Sequence, residues 1–187
     1  MVRNLTNQRF VLMIVVYTLV NSVLCAQEKP EVRIIPEGFE LVVSEDKGFS
    51  LLKPVDWKSD TRIDEGGKSY FVLSSPVNSG GFEASVSVVT DSTNKTIGQY
   101  TNDLLTSYIQ LFLTFDLENR DTLTINDILF GSFVLKYDLE DRTYRMRTVY
   151  TIHEGRLYHI NALAPIERFD GDREVMDKII ASFVVLW

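Results

Sequence analysis

The sequence predicts an α+β domain built on a largely antiparallel sheet. Phe82-Glu-Ala-Ser-Val-Ser-Val88 alternates apolar and polar residues, the period of a strand with one buried face. Ile97, Tyr100, Leu104, Tyr108, Leu111, Phe112 and Phe115 recur at steps of three and four, the stripe of an amphipathic helix. A second stripe, Val175, Met176, Ile179, Ile180 and Phe183, lies near the C-terminus.

The remaining elements follow from punctuation. Phe39-Glu-Leu-Val-Val43, Phe49-Ser-Leu-Leu52 and Tyr70-Phe-Val-Leu73 read as short strands, separated by Pro54, Gly66-Gly67, Pro76 and Gly80-Gly81. Thr96, with Gln99 three residues later, fits a capping box that starts the first helix. Strands are expected near 122–138, with Gly131 as a candidate break, and then at 143–152 and 157–164. The last helix is expected over roughly 171–183, with Asp170 and Asp172 at its positive end. No linker divides the chain and no repeat is visible.

With 187 residues, 45% hydrophobic and 24% charged, the chain has the composition of a globular domain, not of a disordered or collagenous one. Twenty-six acidic against 19 basic residues give a net charge of −7, which argues against nucleic-acid binding through overall charge. One Cys cannot close an internal disulfide, and two His cannot by themselves fill a His-based zinc site.

Residues 1–26 read as a secretory signal. Arg3 and Arg9 precede the apolar run Phe10–Tyr17, polar residues loosen the segment at Thr18, Asn21 and Ser22, and Ala26 supplies the small residue at the cut. The run is short of the roughly 20 apolar residues that span a bilayer; an uncleaved membrane anchor is the alternative. Leu24 before Cys25 departs from the small residue that a bacterial lipid-attachment signal wants. The mature chain is expected to start near Gln27, without a thiol. Residues 27–38 then form a polar leader and residues 39–187 the domain.

Motifs of known chemistry are absent: no Gly-rich phosphate loop, no G-x-S-x-G, no H-E-x-x-H. Asp138-Leu-Glu140-Asp141 and Asp170-Gly-Asp172 lack calcium-loop spacing and read as a turn and a helix start. Asn94-Lys95-Thr96 is a glycosylation sequon, but its Thr is already used as a cap. No catalytic residue and no metal ligand is nominated, and no cofactor is implied.

Register arguments go further. A two-residue turn at Glu154-Gly155 pairs His153 with Arg156 and Tyr150 with His159, so the two histidines point to opposite faces and form no metal pair. His159 then shares a face with Tyr150, Ile152, Leu157 and Leu163, as a partly buried, hydrogen-bonded residue. A turn at Glu140-Asp141 places Lys136 opposite Arg145 and Val134 opposite Arg147. Lys136, Arg145 and Arg147 form a basic strip, the candidate binding surface for an anionic partner; ion pairing with Asp138 and other surface acids is the competing reading.

Several segments in this order resemble the PsbP family: Lys47-Gly-Phe-Ser-Leu-Leu-Lys-Pro-Val-Asp-Trp57, Ala84-Ser-Val-Ser-Val-Val-Thr90, the helix opening Thr96-Ile97-Gly98-Gln99-Tyr100, His153-Glu-Gly-Arg-Leu-Tyr158 and Ile179-Ile-Ala-Ser-Phe183. The resemblance covers about residues 39–186 and implies an α-β-α sandwich around an antiparallel sheet. Members include extrinsic proteins of photosystem II in the thylakoid lumen and exported prokaryotic proteins; the simple leader and the C-terminal helix look closer to the latter. The calcium or manganese retention of the photosystem members has no matching ligand motif here. The resemblance therefore implies an exported, non-enzymatic accessory module that docks on or stabilises a protein partner, such as a membrane complex, at the outer face of a membrane, with any membrane contact peripheral and no nucleic acid involved. A photosystem II oxygen-evolving-complex subunit in the lumen and an exported hydrolase or ligand-binding enzyme are the alternatives.

Overall fold

A computed structural model describes residues 34–77, 81, 83–112 and 114–186. The secretory signal, Cys25 and the cleavage position near Ala26 lie outside the described residues. Among the described residues, ten strands and two helices follow one another as β1 (Phe39–Ser44), β2 (Phe49–Pro54), β3 (Lys58–Ile63), β4 (Ser69–Ser74), β5 (Ser85–Ser92), α1 (Ile97–Leu111), β6 (Phe115–Ile125), β7 (Ile128–Leu139), β8 (Arg142–His153), β9 (Arg156–Pro165), α2 (Ile166–Ala181) and β10 (Val184–Val185). Seven strands form one sheet in the order β3-β4-β5-β9-β8-β7-β6, and β1-β2-β10 form a second, small sheet. Every pairing is antiparallel.

The large sheet buries both faces, each against a different partner. One face meets α1 through Phe133, Leu135, Tyr137, Met146 and Tyr150, with Tyr108 of the helix among them. The other meets α2 and the small sheet, where Phe49, Phe130, Val149, Ile160, Ile179 and Phe183 share one core. This is an α-β-α sandwich, as the alternation of the strands and the stripes of the two helices require.

The capping box at the start of α1 is present: Gln99 N–H donates to Thr96 Oγ1, and the Gln99 side chain accepts from Thr96 N–H. The helix ends at Leu111, and Phe115 already belongs to β6. Its apolar contact with the α1 core explains why Phe115 continued the helical stripe. The single run expected at 122–138 is instead a hairpin turning at Asn126-Asp127, both at positive φ (47° and 63°), the left-handed pair a two-residue turn requires. Gly131 is no break. It sits inside β7 beneath the Tyr150 ring, where a Cβ would lie 2.7 Å from a ring carbon, so only glycine permits this approach.

The last helix begins five residues earlier than expected, at Ile166 directly after Pro165, and runs through Gly171. Asp170 and Asp172 therefore sit inside the helix rather than at its positive end, and Glu167 is the acidic residue of the first turn. Beyond α2, Ser182 Oγ accepts from Leu52 N–H at 2.7 Å, and the Phe183 carbonyl accepts from Asn126 Nδ2 at 2.6 Å. The C-terminal segment is thus tied to both sheets.

Phe183 is the hub of that core. It is 1% exposed and stacks on Phe49 at 5.4 Å, with edge contacts to Phe130 and Tyr158. Phe183→Ala should cost about 3–5 kcal/mol, transfer and cavity terms together. Denaturant melts of residues 27–187 read this loss directly; a cost below about 1 kcal/mol would make α2 peripheral to the core.

Candidate functional site

The two faces of the large sheet carry different polar chemistry. Beneath α1, His159 of β9 is wholly surrounded. Its Nδ1 lies 2.6 Å from the Tyr100 hydroxyl and its Nε2 lies 2.9 Å from Asn161 Oδ1. The consistent assignment has Tyr100 O–H donating to Nδ1 and Nε2–H donating to Asn161 Oδ1, which also accepts from Thr148 Oγ1 at 2.8 Å. At the next residue of α1, the Tyr150 hydroxyl donates to Thr101 Oγ1 at 2.6 Å, and Thr101 in turn donates to the Ile97 carbonyl. Burial pushes the His159 pKa down to about 4, helped by the Lys68 charge and opposed by the Asn161 hydrogen bond. Burial likewise pushes the Tyr108 and Tyr137 hydroxyls up to about 12 and raises Tyr100. These groups are neutral parts of a packed layer.

The open site is on the opposite face. The α2 helix packs chiefly over β9, β8, β5 and β2, and the β6–β7 margin is buried at Ile125 and Phe130 but open around Thr122 and Val134. A cleft of about 420 Å³ opens there, with Val134 and Ser132 on its floor, β6 as one wall and α2 as the other. Arg145 and Arg147 project into it from β8, and Asp170 and Arg173 from α2.

Each strand arginine has a dedicated carboxylate. A bulge in β6 between Leu117 and Asn119 frees Glu118 from the ladder, and a bulge re-aims the side chain it carries. Glu118 Oε1 accepts from Arg145 Nη2 at 3.0 Å, and its Oε2 lies 2.9 Å from Nε as an ion-pair contact outside hydrogen-bond geometry. This hydrogen bond raises the Arg145 pKa above its ordinary value despite partial burial. The guanidinium also lies over the Phe169 ring, 5.6 Å from its centroid, a cation–π contact. Arg147 donates to Asp177 of α2. Two weaker contacts remain: Asp170 Oδ1 is 3.2 Å from Arg145 Nη1, and Arg173 Nε is 3.6 Å from Asp177 Oδ2.

The strip expected from register is assembled as expected: Lys136 faces Arg145, and Val134 faces Arg147. His153 pairs with Arg156 and Tyr150 with His159. Arg145 and Arg147 are not free surface charges, however. Their side chains are 20% and 23% exposed and are engaged by acids from β6 and α2. Asp138 bonds Thr114 and Thr143, and the Lys136 charge contributes to holding its carboxyl below the ordinary range. Sequence reasoning missed Glu118, Arg173 and Asp177. Asp170, Arg173 and Asp177 fall at i, i+3 and i+7, one helix face, and would have been found had the helix been started at Pro165. The bulge that aims Glu118 leaves no sequence signal.

Among the described residues, no group of three or more His, Cys, Asp or Glu is placed to hold a metal ion, and no helix is long and apolar enough to cross a membrane.

No protein-family model matches this chain, and no curated protein matches it in sequence. Solved structures do match. The cyanobacterial PsbP protein of Synechocystis superposes with a TM-score of 0.60 at 14% identity, over 84% of this chain and 97% of that one. The fold is PsbP-like. A Pseudomonas aeruginosa protein of unknown function superposes with a TM-score of 0.58 at 15% identity, over 78% of this chain and 96% of that one. A Bacteroides thetaiotaomicron protein gives 0.57 at 13% identity, over 80% of this chain and 49% of that longer one. At such identities the PsbP-like likeness speaks for architecture, and function has to be argued from this chain's own residues.

The histidine layer makes a pH prediction. An unfolded histidine takes up a proton near pH 6.5, whereas His159 refuses it until about pH 4. Its contribution is therefore whole above about pH 6.5, falls by up to ~1.4 kcal/mol per pH unit below that, and is fully lost near pH 4. Urea midpoints at pH 7 and pH 5 should show this loss in the wild type. In His159→Gln that component should vanish; an unchanged pH dependence would place the titrating group elsewhere.

Proposed function

We propose that this PsbP-like domain is an exported, non-enzymatic binding module that docks on a protein partner at the outer face of a membrane. One observation carries the reading. The side chains whose proton affinities burial displaces most and the cleft lie on opposite faces of the sheet, and Arg145 in the cleft is instead held more firmly in its charged form. His159, Tyr100, Tyr108 and Tyr137 are sealed under α1, while the arginines of the cleft are already committed to ion pairs. A reaction centre needs both at one place. A binding surface needs only shape, charge and exposed groups, which the cleft rim supplies.

On this reading the basic strip is the docking edge, reached through its most accessible members. Lys136 is half-buried, and the Arg173 side chain is 63% exposed. Arg145 and Arg147 act as its rigid base, held by Glu118 and Asp177. The leader expected at residues 1–26 supports export.

The test is capture from solubilised membranes of the native host by the wild type and by Lys136→Glu/Arg173→Glu. The variant should keep its fold: the exposed Arg173 change should shift stability by less than about 0.5 kcal/mol and the half-buried Lys136 change by about 1 kcal/mol, the ordinary scale of a point substitution. It should lose the specific partner, and wild-type capture should weaken as salt screens the contact. An unchanged partner set in the folded variant would remove the strip from the docking surface; turnover of a substrate without any membrane partner would make the protein an enzyme.

A further inference from the structure

The ion pairs of the cleft are arranged in two tiers. In the inner tier Arg145 is held by Glu118 through two short contacts, and Arg147 is held by Asp177. These pairs give each floor arginine a carboxylate of its own. In the outer tier Asp170 makes a 3.2 Å contact to an Arg145 that already has Glu118, and Arg173 makes a 3.6 Å contact to an Asp177 that already has Arg147. Moving either outer group away from the floor therefore leaves no buried charge without a partner.

The outer groups are also the accessible ones. The Asp170 and Arg173 side chains are 77% and 63% exposed. Three residues apart on α2, they stand on one helix face with about 5–6 Å between Cβ atoms. A negative and a positive group thus stand side by side at the mouth of a cleft, with Leu123 and Val134 inside it. The cleft carries no excess of positive charge: Arg145, Arg147 and Arg173 stand against Glu118, Asp121 and Asp170 in its lining, with Asp177 behind Arg147. A simple anion would have to displace a carboxylate and leave the site unbalanced. A ligand that carries its own ammonium and its own carboxylate replaces both outer contacts and keeps the balance.

We propose that this cleft is a binding site for a small zwitterion of the amino-acid or short-peptide class. The ligand's carboxylate lies on the Arg173 guanidinium, a fork that matches two oxygens. Its ammonium lies on Asp170, with Asp121 across the mouth, and its apolar side chain enters toward Leu123 and Val134. The volume of about 420 Å³ is within the range of small-molecule sites and accommodates a residue or a dipeptide. This site shares Arg173 with the proposed docking edge, and titration of the isolated protein, with no macromolecular partner present, tests it apart from docking.

The test is a titration followed by amide chemical shifts, using leucine, leucyl-leucine, N-acetyl-leucine and leucinamide at low salt. Leucine or leucyl-leucine should saturate, with shifts gathered on residues 118–123, 132–134 and 169–173. N-acetyl-leucine lacks the ammonium and leucinamide lacks the carboxylate, and each should bind about tenfold more weakly or worse. Arg173→Gln and Asp170→Asn should each weaken the zwitterion by a similar factor, while Lys178→Ala, farther along α2, should not. These exposed substitutions leave the inner pairs in place, so folded spectra are expected for all three. The proposal is overturned if neither leucine nor leucyl-leucine saturates. It is equally overturned if the capped analogues bind as well as the zwitterions, or if the folded Arg173→Gln and Asp170→Asn proteins bind them unchanged.

Discussion

The register of the β8–β9 hairpin is the constraint on which the rest of this molecule depends. Glu154 and Gly155 both adopt positive φ, 48° and 75°, the left-handed pair that closes a two-residue hairpin with the twist of its strands. The Gly155 carbonyl is held in turn by Thr93 N–H at 2.8 Å. From this turn the pairs run His153 with Arg156, Tyr150 with His159 and Arg147 with Ala162. Because side chains alternate, a slip of one residue would invert one of the two strands, sending Arg145 and Arg147 under α1, among Phe133 and Leu135, if β8 turned over, or bringing His159 toward α2 if β9 did. Burying two arginines without Glu118 and Asp177 would cost several kcal/mol each, so the alternative register is strongly disfavoured.

That register makes the sheet a partition. On the α1 side, aromatic rings and a neutral histidine fill the space, and the polar atoms are satisfied within the layer by Tyr100, Thr101, Thr148 and Asn161. On the α2 side the same strands present arginines, and α2 answers with Asp170 and Asp177. Phe183 and its ring contacts hold the helix over β9 and the small sheet, and the ion pairs fix its lateral edge. The open part of the β6–β7 margin becomes the cleft because one helix does not span seven strands. Position, charge and accessibility of the proposed binding groups all follow from this geometry.

The parts of the fold that were legible in the sequence are those in which one face is buried. The stripe of α1, its Thr96–Gln99 cap, the alternation ending at Val88 and the turn at Glu154-Gly155 each repeat a signal over several residues. The edge strands were illegible for the opposite reason. β3, Lys58–Ile63, is exposed along its whole length, and β6 is exposed through most of its length, so neither carries an alternation to read. At α2, Asp170-Gly-Asp172 imitates a helix start, whereas Pro165 and the buried Phe169 mark the real one. The strip of Lys136, Arg145 and Arg147 was legible because it needs only register. Its neutralisation was not, because it joins residues 27 and 30 positions apart, Glu118 to Arg145 and Arg147 to Asp177.

The partition is tested most directly by backbone nuclear Overhauser contacts across β8 and β9 in isotopically labelled protein. Facing residues of an antiparallel pair approach to about 4.5 or 5.5 Å between Cα atoms, close enough for a Hα–Hα or HN–HN contact. The account predicts such contacts between Tyr150 and His159 and between Arg147 and Ala162, with contacts from α1 side chains to the His159 ring. Contacts displaced by one residue, such as Tyr150 to Ile160, would contradict it, because one of the two strands would then present its side chains to the wrong face of the sheet.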